Sequence, residues 1–152
     1  MRRLAAIVSA MAVAVAAVAA PADEESDEQQ IEPEYAAGKT AIEARDWPAA
    51  IRLLSSAALR DTRNADIQNY LGFAYRSTGE LSLAFNHYNR ALLLNPRHRG
   101  AHEYLGEAYL MIGNAGKAEE HLAALEKICL LACEEFGQLQ RKLAEYRAQI
   151  GR

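Results

Sequence analysis

The sequence predicts an all-α fold built from repeated pairs of antiparallel helices, on three observations. Gly38, Gly72 and Gly106 follow one another at intervals of 34 residues, a period typical of stacked structural units. Apolar residues recur at spacings of three and four along the chain after residue 34, as on one face of a helix. Strand-like runs bounded by turn signals do not occur in the sequence.

The amino terminus, residues 1–22, is predicted to be a cleaved signal peptide. Two arginines precede an apolar run over residues 4–18, and small residues follow. This is the basic start, apolar core and Ala-x-Ala exit of an export signal. The run is too short and alanine-rich for a membrane span, which needs roughly 20 strongly apolar residues. Cleavage fits after Ala19 or Ala22, and we favour Ala22. We therefore expect Sec-type export to the periplasm or medium, with no transmembrane segment in the mature form.

Residues 23–33 are predicted to form an acidic, flexible linker. The segment from Ala22 to Glu34 carries seven carboxylates and almost no apolar side chain, so it buries too little surface to offset the entropy of ordering. An acidic tail that grips a basic partner or a cation is the alternative. Loss of the leader takes the formal charge from −3 to −5. This acidity, with no basic block, argues against a nucleic-acid partner.

Three helix pairs follow the linker, at about residues 31–64, 65–98 and 99–132. The first pair is the least regular, with helices expected over residues 34–44 and 48–59. Asp46 is a good N-cap for the second of these helices. Arg45 stands where the later pairs have a turn glycine.

The second pair has the most complete pattern. Its helices are expected over residues 65–77 and 81–94, with a turn at Thr78-Gly79 and a stop at Asn95-Pro96. The third pair repeats this plan around a turn at Gly113-Asn114. The residues predicted to pack the helices of the three pairs together are Gly38, Gly72, Gly106, Ala50, Ala84, Ala118, Tyr75, Tyr109 and Pro96.

The order of residues within this period is also informative. In the second pair it runs Leu71-Gly72, Tyr75, Gly79, Ala84, Tyr88, Ala91 and Pro96. This order resembles the tetratricopeptide (TPR) repeat, and the resemblance covers roughly residues 31–130. It implies a right-handed α-solenoid of three TPR helix pairs. The first helices of the pairs then line a concave face, on which members of the family bind extended peptides or partner helices.

A capping helix is predicted at the carboxyl end, over residues 133–150. One apolar stripe with a charged back covers the end that the last repeat otherwise exposes. The stripe consists of Phe136, Leu139, Leu143, Tyr146 and Ile150.

The resemblance further implies which residues face the concave surface. These are Lys39 in the first repeat, Asn69, Phe73 and Arg76 in the second, and Glu103 and Glu107 in the third. Asn69 can donate and accept hydrogen bonds to a peptide backbone, and Arg76 can pair with a carboxylate. Lys39 is alone, so the two-lysine clamp for a carboxy-terminal carboxylate is not predicted. The alternative is an ordinary solvated face, with Phe73 packed against a neighbouring helix.

Cys129 and Cys133 are the only cysteines, and export predicts a structural disulfide between them. The bridge would pin the turn that seats the capping helix. Its loop is short, so we expect a stabilisation of about 2 kcal/mol. The helix has to break near residues 130–132, because cysteines four apart in a continuous helix fit a bridge poorly. A redox pair, or a soft-metal site with His121 as a third ligand, are the alternatives.

His98 and His102 lie four apart, and two imidazoles on one helical face can hold Zn²⁺ or Cu²⁺. The alternative is that His102 packs between helices while His98 faces solvent. His87 and His121 are expected to be surface or packing residues.

No nucleophile elbow, phosphate loop, zinc-protease motif or paired-carboxylate signature occurs in the sequence. The sequence therefore predicts no catalytic residue, no cofactor and no enzyme. We expect a protein–protein interaction module, an adaptor, assembly factor or scaffold that holds a peptide or partner helix in its concave face. The alternatives are a metal-handling protein that uses Cys129/Cys133 or His98/His102, and a homo-oligomer.

Overall fold

The computed structural model describes residues 27–131 and 133–151, with side chains from residue 33 onward. The predicted signal peptide and residues 23–26 of the predicted linker lie outside this part. The described residues form seven α-helices and no β-strand, which confirms the all-α class. The helices are α1 (Asp27–Glu43), α2 (Trp47–Arg60), α3 (Ala65–Ser77), α4 (Leu81–Leu94), α5 (Arg99–Met111), α6 (Ala115–Ile128) and α7 (Glu134–Ile150).

The start of α1 differs from the prediction. The helix begins at Asp27, so residues 27–33 of the predicted flexible linker are helical. Pro33 lies inside this helix, and the sequence was expected to be too acidic to order. Glu and Gln, which dominate the segment, are good intrinsic helix formers, and acidic residues are favoured near a helix amino terminus.

Side-chain caps explain where α2, α3 and α6 begin. Asp46 accepts a hydrogen bond from Ala49 N (3.1 Å), as predicted. Asn64 accepts from the first amides of α3, and Asn114 accepts from Lys117 N at the start of α6. Each cap satisfies amides that the first helical turn leaves without an intrahelical partner.

The core lies along the seams between helix pairs. The predicted small residues Ala50, Ala84 and Ala118 are fully buried in it. A Cβ atom at Gly72 would lie 2.5 Å from Tyr88 Cε1, and one at Gly38 would lie 2.7 Å from Leu54 Cδ2. These glycines therefore let α3 and α1 approach the second helix of their own pair, as predicted.

Gly106 serves a different crossing. A Cβ atom there would lie 2.6 Å from Leu139 Cδ2 of α7, although the 34-residue period predicts a neighbour on α6. Leu139 is fully buried and packs with Leu110, Ala118 and Leu125. The capping helix is thus seated directly on α5, beside α6.

Of the seven helices in residues 27–131 and 133–151, none has both the length and the apolarity that a bilayer crossing needs.

Candidate functional site

A groove runs along α5, with α3 on one side and α7 on the other. Two cavities lie along it. The first, of about 320 Å³, is at the carboxyl end of α5 and is lined by Arg76, Glu107, Leu110, Met111, Lys142, Glu145, Tyr146 and Gln149. The second, of about 300 Å³, is at the amino end and is lined by Asp66, Asn69, Tyr70, His98, Gly100, Glu103, Tyr104, Glu134, Glu135 and Gln138. We call these the C-terminal and the N-terminal cavity.

Four of the predicted concave residues meet in this groove. Asn69 and Glu103 line the N-terminal cavity, and Arg76 and Glu107 line the C-terminal one. The other two lie elsewhere. Lys39 lines neither cavity, and its ammonium lies 4.6 Å from the centre of the Tyr35 ring on α1.

Arg76 is already engaged within the protein. Its guanidinium forms an ion pair with Glu107, and both side chains are largely buried. It also lies 5.2 Å from the ring centres of Phe73 and Tyr104. A ligand carboxylate at Arg76 would share the guanidinium with the carboxylate of Glu107, and the two like charges would repel each other. In the structure Arg76 ties α3 to α5, and its pairing with a ligand carboxylate stays a prediction.

Phe73 is a packing residue as well. Its ring lies 6.0 Å from that of Trp47 on α2 and 5.0 Å from that of Tyr104 on α5. These distances are those of interacting aromatic pairs. Phe73 supports the wall of the groove through Tyr104, in line with the alternative weighed for it.

Asn69 and Glu103 are the buried polar residues of the groove. Asn69 is 5% exposed, and its Oδ1 atom is buried without a hydrogen-bond partner. Glu103 is 3% exposed. Burial, with the nearby carboxylates of Glu107 and Glu135, raises the pKa of Glu103 to about 7, against an opposing effect of Arg76.

Sequence reasoning missed the wall that α7 contributes. It treated residues 133–150 only as a cover for the core, yet Glu134, Gln138 and Tyr146 line the two cavities. A signal for this was present. Leu71, Leu105 and Leu139 are also 34 residues apart, so α7 continues the period as the first helix of an incomplete fourth unit.

The histidines do not converge as the metal-handling alternative requires. His98 Nδ1 accepts a hydrogen bond from Ala101 N, and its Nε2 lies 2.9 Å from Asp66 Oδ1. His102 instead faces His121, with Nδ1 atoms 2.9 Å apart. His98 is a largely buried N-cap of α5, which corrects the alternative that it faces solvent. Among the described residues, no three His, Cys, Asp or Glu side chains cluster to hold a metal ion.

Cys129 and Cys133 form a bonded pair in the structure, with Cα atoms 5.7 Å apart. This separation lies in the range found for disulfides. Helix α6 ends at Ile128 and α7 begins at Glu134, so the chain leaves the helix where the prediction required. Oxidation of the pair in solution stays a prediction.

Comparison with known proteins identifies the repeat. Residues 65–98 match the family model of the tetratricopeptide repeat. The comparison with curated sequences gives no match. The TPR2B domain of yeast Sti1, solved in complex with pHsp70, superposes with a TM-score of 0.71 at 20% identity, over 78% of this chain and 99% of that one.

Two further solved structures are similar. The Yersinia enterocolitica type III secretion chaperone SycD, in complex with a peptide of the translocator YopD, has a TM-score of 0.69 and 17% identity, over 86% of this chain and 97% of that one. The Sgt2 TPR domain from Aspergillus fumigatus has a TM-score of 0.70 and 19% identity, over 80% of each chain. The predicted TPR-like solenoid is confirmed, and at these identities the likeness concerns the fold alone.

Proposed function

We propose that this TPR solenoid is a protein-interaction module that holds a peptide or a partner helix in the groove along α5. The observation that carries the proposal is the groove itself, with two cavities in line between α3 and α7. At the C-terminal cavity, which is the more apolar end of the groove, Met111 is 56% exposed. At the N-terminal cavity, which is the polar end, lie the buried acceptors. An extended chain with side chains of both kinds matches this division. The complexes of the similarly folded SycD with a YopD peptide and of the Sti1 TPR2B domain with pHsp70 support it.

The test uses peptides selected from a displayed random library, with affinities measured by calorimetry or fluorescence anisotropy. Met111→Glu places a charge at the apolar end of the groove, and we expect it to weaken binding at least tenfold. Leu59→Glu is the matched control, because Leu59 is also an exposed apolar residue and lies on α2, away from the groove. Phe73→Ala and Arg76→Ala are poorer probes, since both residues hold α3 against its neighbours. Selection of no peptide, or equal effects of the two glutamate variants, would refute the proposal.

We further propose that the protein acts outside the cytoplasm, as an adaptor or assembly factor. The leader-like residues 1–22 and the single cysteine pair support this location. Amino-terminal sequencing of the protein from a cell envelope or culture fraction is expected to begin at Asp23. A mature protein that retains Met1 in the cytoplasm would contradict it.

Self-association is the second candidate function. Leu130 and Leu131 are both more than 85% exposed, beside a cavity of about 280 Å³ that Phe136 also lines. Light scattering against concentration tests this candidate. We expect Leu131→Ser to abolish any dimer formed through this tip.

A further inference from the structure

We infer that the N-terminal cavity receives the ammonium group of a lysine side chain from the bound peptide. This inference deepens the proposed function and rests on it, because the lysine belongs to the chain that lies in the groove. The cavity is the polar half of that groove, and it is lined by residues from the amino-terminal halves of α3, α5 and α7.

The first argument is a buried acceptor without a hydrogen-bond partner, together with an unpaired carboxylate on a largely buried residue. Asn69 Oδ1 is a buried acceptor with no hydrogen bond, and Asn69 is 95% buried. Gly100 leaves room for this amide, since a Cβ atom there would lie 3.1 Å from Asn69 Nδ2. Glu103 also lines the cavity almost fully buried, and it forms no hydrogen bond or ion pair within the described residues. A buried acceptor without a donor is costly, so the site is incomplete without a group that donates.

The second argument is charge. Three other carboxylates line the cavity, and each already has a neighbour. Asp66 lies 2.9 Å from His98 Nε2, Glu134 accepts from Gln138 Nε2, and Glu135 lies 3.5 Å from Arg99 Nε. Glu103 is therefore the carboxylate left for a ligand. An anion would meet repulsion here, whereas a cation would be attracted.

The third argument is shape. Lysine carries a compact ammonium with three donors on a flexible four-carbon stem. The stem allows the ammonium to reach acceptors at the bottom of a cavity of about 300 Å³ while the peptide backbone stays in the groove. The rings of Tyr70 and Tyr104 line the same cavity, and aromatic rings attract cations at close range. A metal ion is disfavoured because no three ligating side chains cluster among the described residues.

The raised pKa of Glu103 agrees with this assignment. Without a cation, burial and the neighbouring carboxylates hold the pKa at about 7. An ammonium beside Glu103 favours the ionised form and lowers that pKa. Binding of lysine is therefore expected to tighten between pH 6 and pH 8. The charged and titratable groups that face Glu103 and its cavity are Asp66, Tyr70 and Arg76 on α3, His98, Tyr104 and Glu107 on or before α5, and Glu134 and Glu135 on α7.

The experiment uses the folded protein and Nα-acetyl-lysine amide as the probe, followed by ¹H–¹⁵N NMR. Nα-acetyl-norleucine amide is the matched control probe, because it keeps the stem and lacks the ammonium. We expect the lysine probe to shift the Asn69 side-chain amide and the backbone amides of Gly100 and Glu103. Its affinity should exceed that of the norleucine probe at least tenfold.

Glu103→Gln keeps the shape of the side chain and removes its charge. It should weaken binding of the lysine probe at least tenfold and abolish the pH dependence. Glu80→Gln is the control, because Glu80 is an exposed carboxylate in the turn before α4. This variant should change neither the affinity for the lysine probe nor its pH dependence. Equal binding of both probes, or shifts that persist in Glu103→Gln, would overturn the inference.

Peptides from the library selection separate this inference from the proposed function. Replacement of a lysine by norleucine in a selected peptide should reproduce the tenfold loss. If selected peptides bind the groove and none depends on a lysine, the lysine site fails and the function stands. If no peptide binds while the lysine probe does, the function fails and the cation site remains.

Discussion

The turn inside each helix pair is governed by one residue position. Arg45, Gly79 and Gly113 are 34 residues apart, and all three have positive φ angles, of 57°, 84° and 78°. Only glycine adopts this left-handed conformation without a steric penalty. The sequence showed that arginine replaces the glycine in the first pair. That the arginine nevertheless takes the same backbone conformation follows from the fold, because α1 and α2 must cross as the later pairs do.

Arg45→Gly should therefore stabilise the protein. Relief of the left-handed strain is worth about 1–2 kcal/mol, and the greater freedom of glycine in the unfolded chain offsets part of it. We expect a net gain of about 0.5–1 kcal/mol in the free energy of unfolding, measured by urea denaturation with an unchanged slope. Arg52→Gly, at an exposed position inside α2, should lose about 1 kcal/mol. A loss at both positions would show that the turn carries no strain.

The contact between His102 and His121 could not be predicted from the sequence, because the two residues lie on different helices. His102 Nε2 lies 3.1 Å from the carbonyl oxygen of Pro96 and donates to it, so the His102 Nδ1 atom accepts from His121 Nδ1. Burial, and the neighbouring imidazole of His102, lower the pKa of His121 to about 4, with a smaller opposing effect of Glu120.

This pair should make the fold sensitive to acid. Between pH 6.5 and about 4 the unfolded chain binds a proton at His121 and the folded protein does not, so stability falls as the pH falls. Glu103 acts in the opposite sense over much of this window, since its folded pKa is the higher one. We expect His121→Asn to have a lower free energy of unfolding than the parent protein at pH 7.5. When the pH is lowered from 7.5 to 5, however, the fall in the free energy of unfolding should be about 1–2 kcal/mol smaller in the variant than in the parent. Denaturation at several pH values measures this, with the exposed Glu126→Gln as control. An unchanged pH slope in His121→Asn would contradict the argument.

At the scale of the helix, local signals were sufficient where the apolar pattern was clear. The bounds of α3 and α4 match the predicted residues 65–77 and 81–94, because each helix has an apolar stripe and is followed by a turn or stop signal. Helix α7 begins one residue later than the predicted range 133–150. The start of α1 failed, since acidity and Pro33 argued for disorder while Glu and Gln favour a helix. The seating of α7 on α5 also could not be predicted, because an amphipathic stripe specifies that a face is covered but not which helix covers it.

Helix α7 should depend on Leu139 more than on any other described residue of its stripe. Leu139 is fully buried against Gly106 and the core cluster of α5 and α6. Leu139→Ala should therefore lower the free energy of unfolding by about 3 kcal/mol, through lost burial and a remaining cavity. Ile150→Ala is the control at the exposed end of the same stripe, and it should change stability by less than about 0.5 kcal/mol. Urea denaturation monitored by circular dichroism measures both variants. Similar losses of stability in the two would show that α7 is not anchored at Gly106.

At the scale of the whole molecule, the sequence predicted the solenoid but not its working surface. The 34-residue period and the order of residues within it determine how one helix pair follows the next, so the TPR fold could be predicted from the sequence. The groove needs α3, α5 and α7 together, and its polar character depends on which side chains are already paired. Arg76 and Phe73 looked available in the sequence and are engaged by Glu107, Trp47 and Tyr104. Asn69 and Glu103 were predicted in the same way, and only the structure shows that their side chains form no hydrogen bond or ion pair among the described residues.

A solenoid also predicts how a local change spreads. Helix α7 contacts α5 and α6, whereas α1 and α2 contact each other and α3. Stability in such arrays is approximately a sum of repeat and nearest-neighbour terms, so loosening one end should leave the other end unchanged. Reduction of the Cys129–Cys133 pair, which joins α6 to α7, provides this perturbation.

We expect reduction to cost about 2 kcal/mol at the C-terminal end. Native-state hydrogen exchange should then accelerate by up to about 30-fold for the amides of α7, while the amides of α1 and α2 keep their rates. The Cys129→Ser/Cys133→Ser double variant should reproduce the reduced protein and separates loss of the bridge from side reactions of the reductant. An equal acceleration in α1 and α7 would mean that the helices open as one cooperative unit. The groove would then be no more mobile along α7 than along α3.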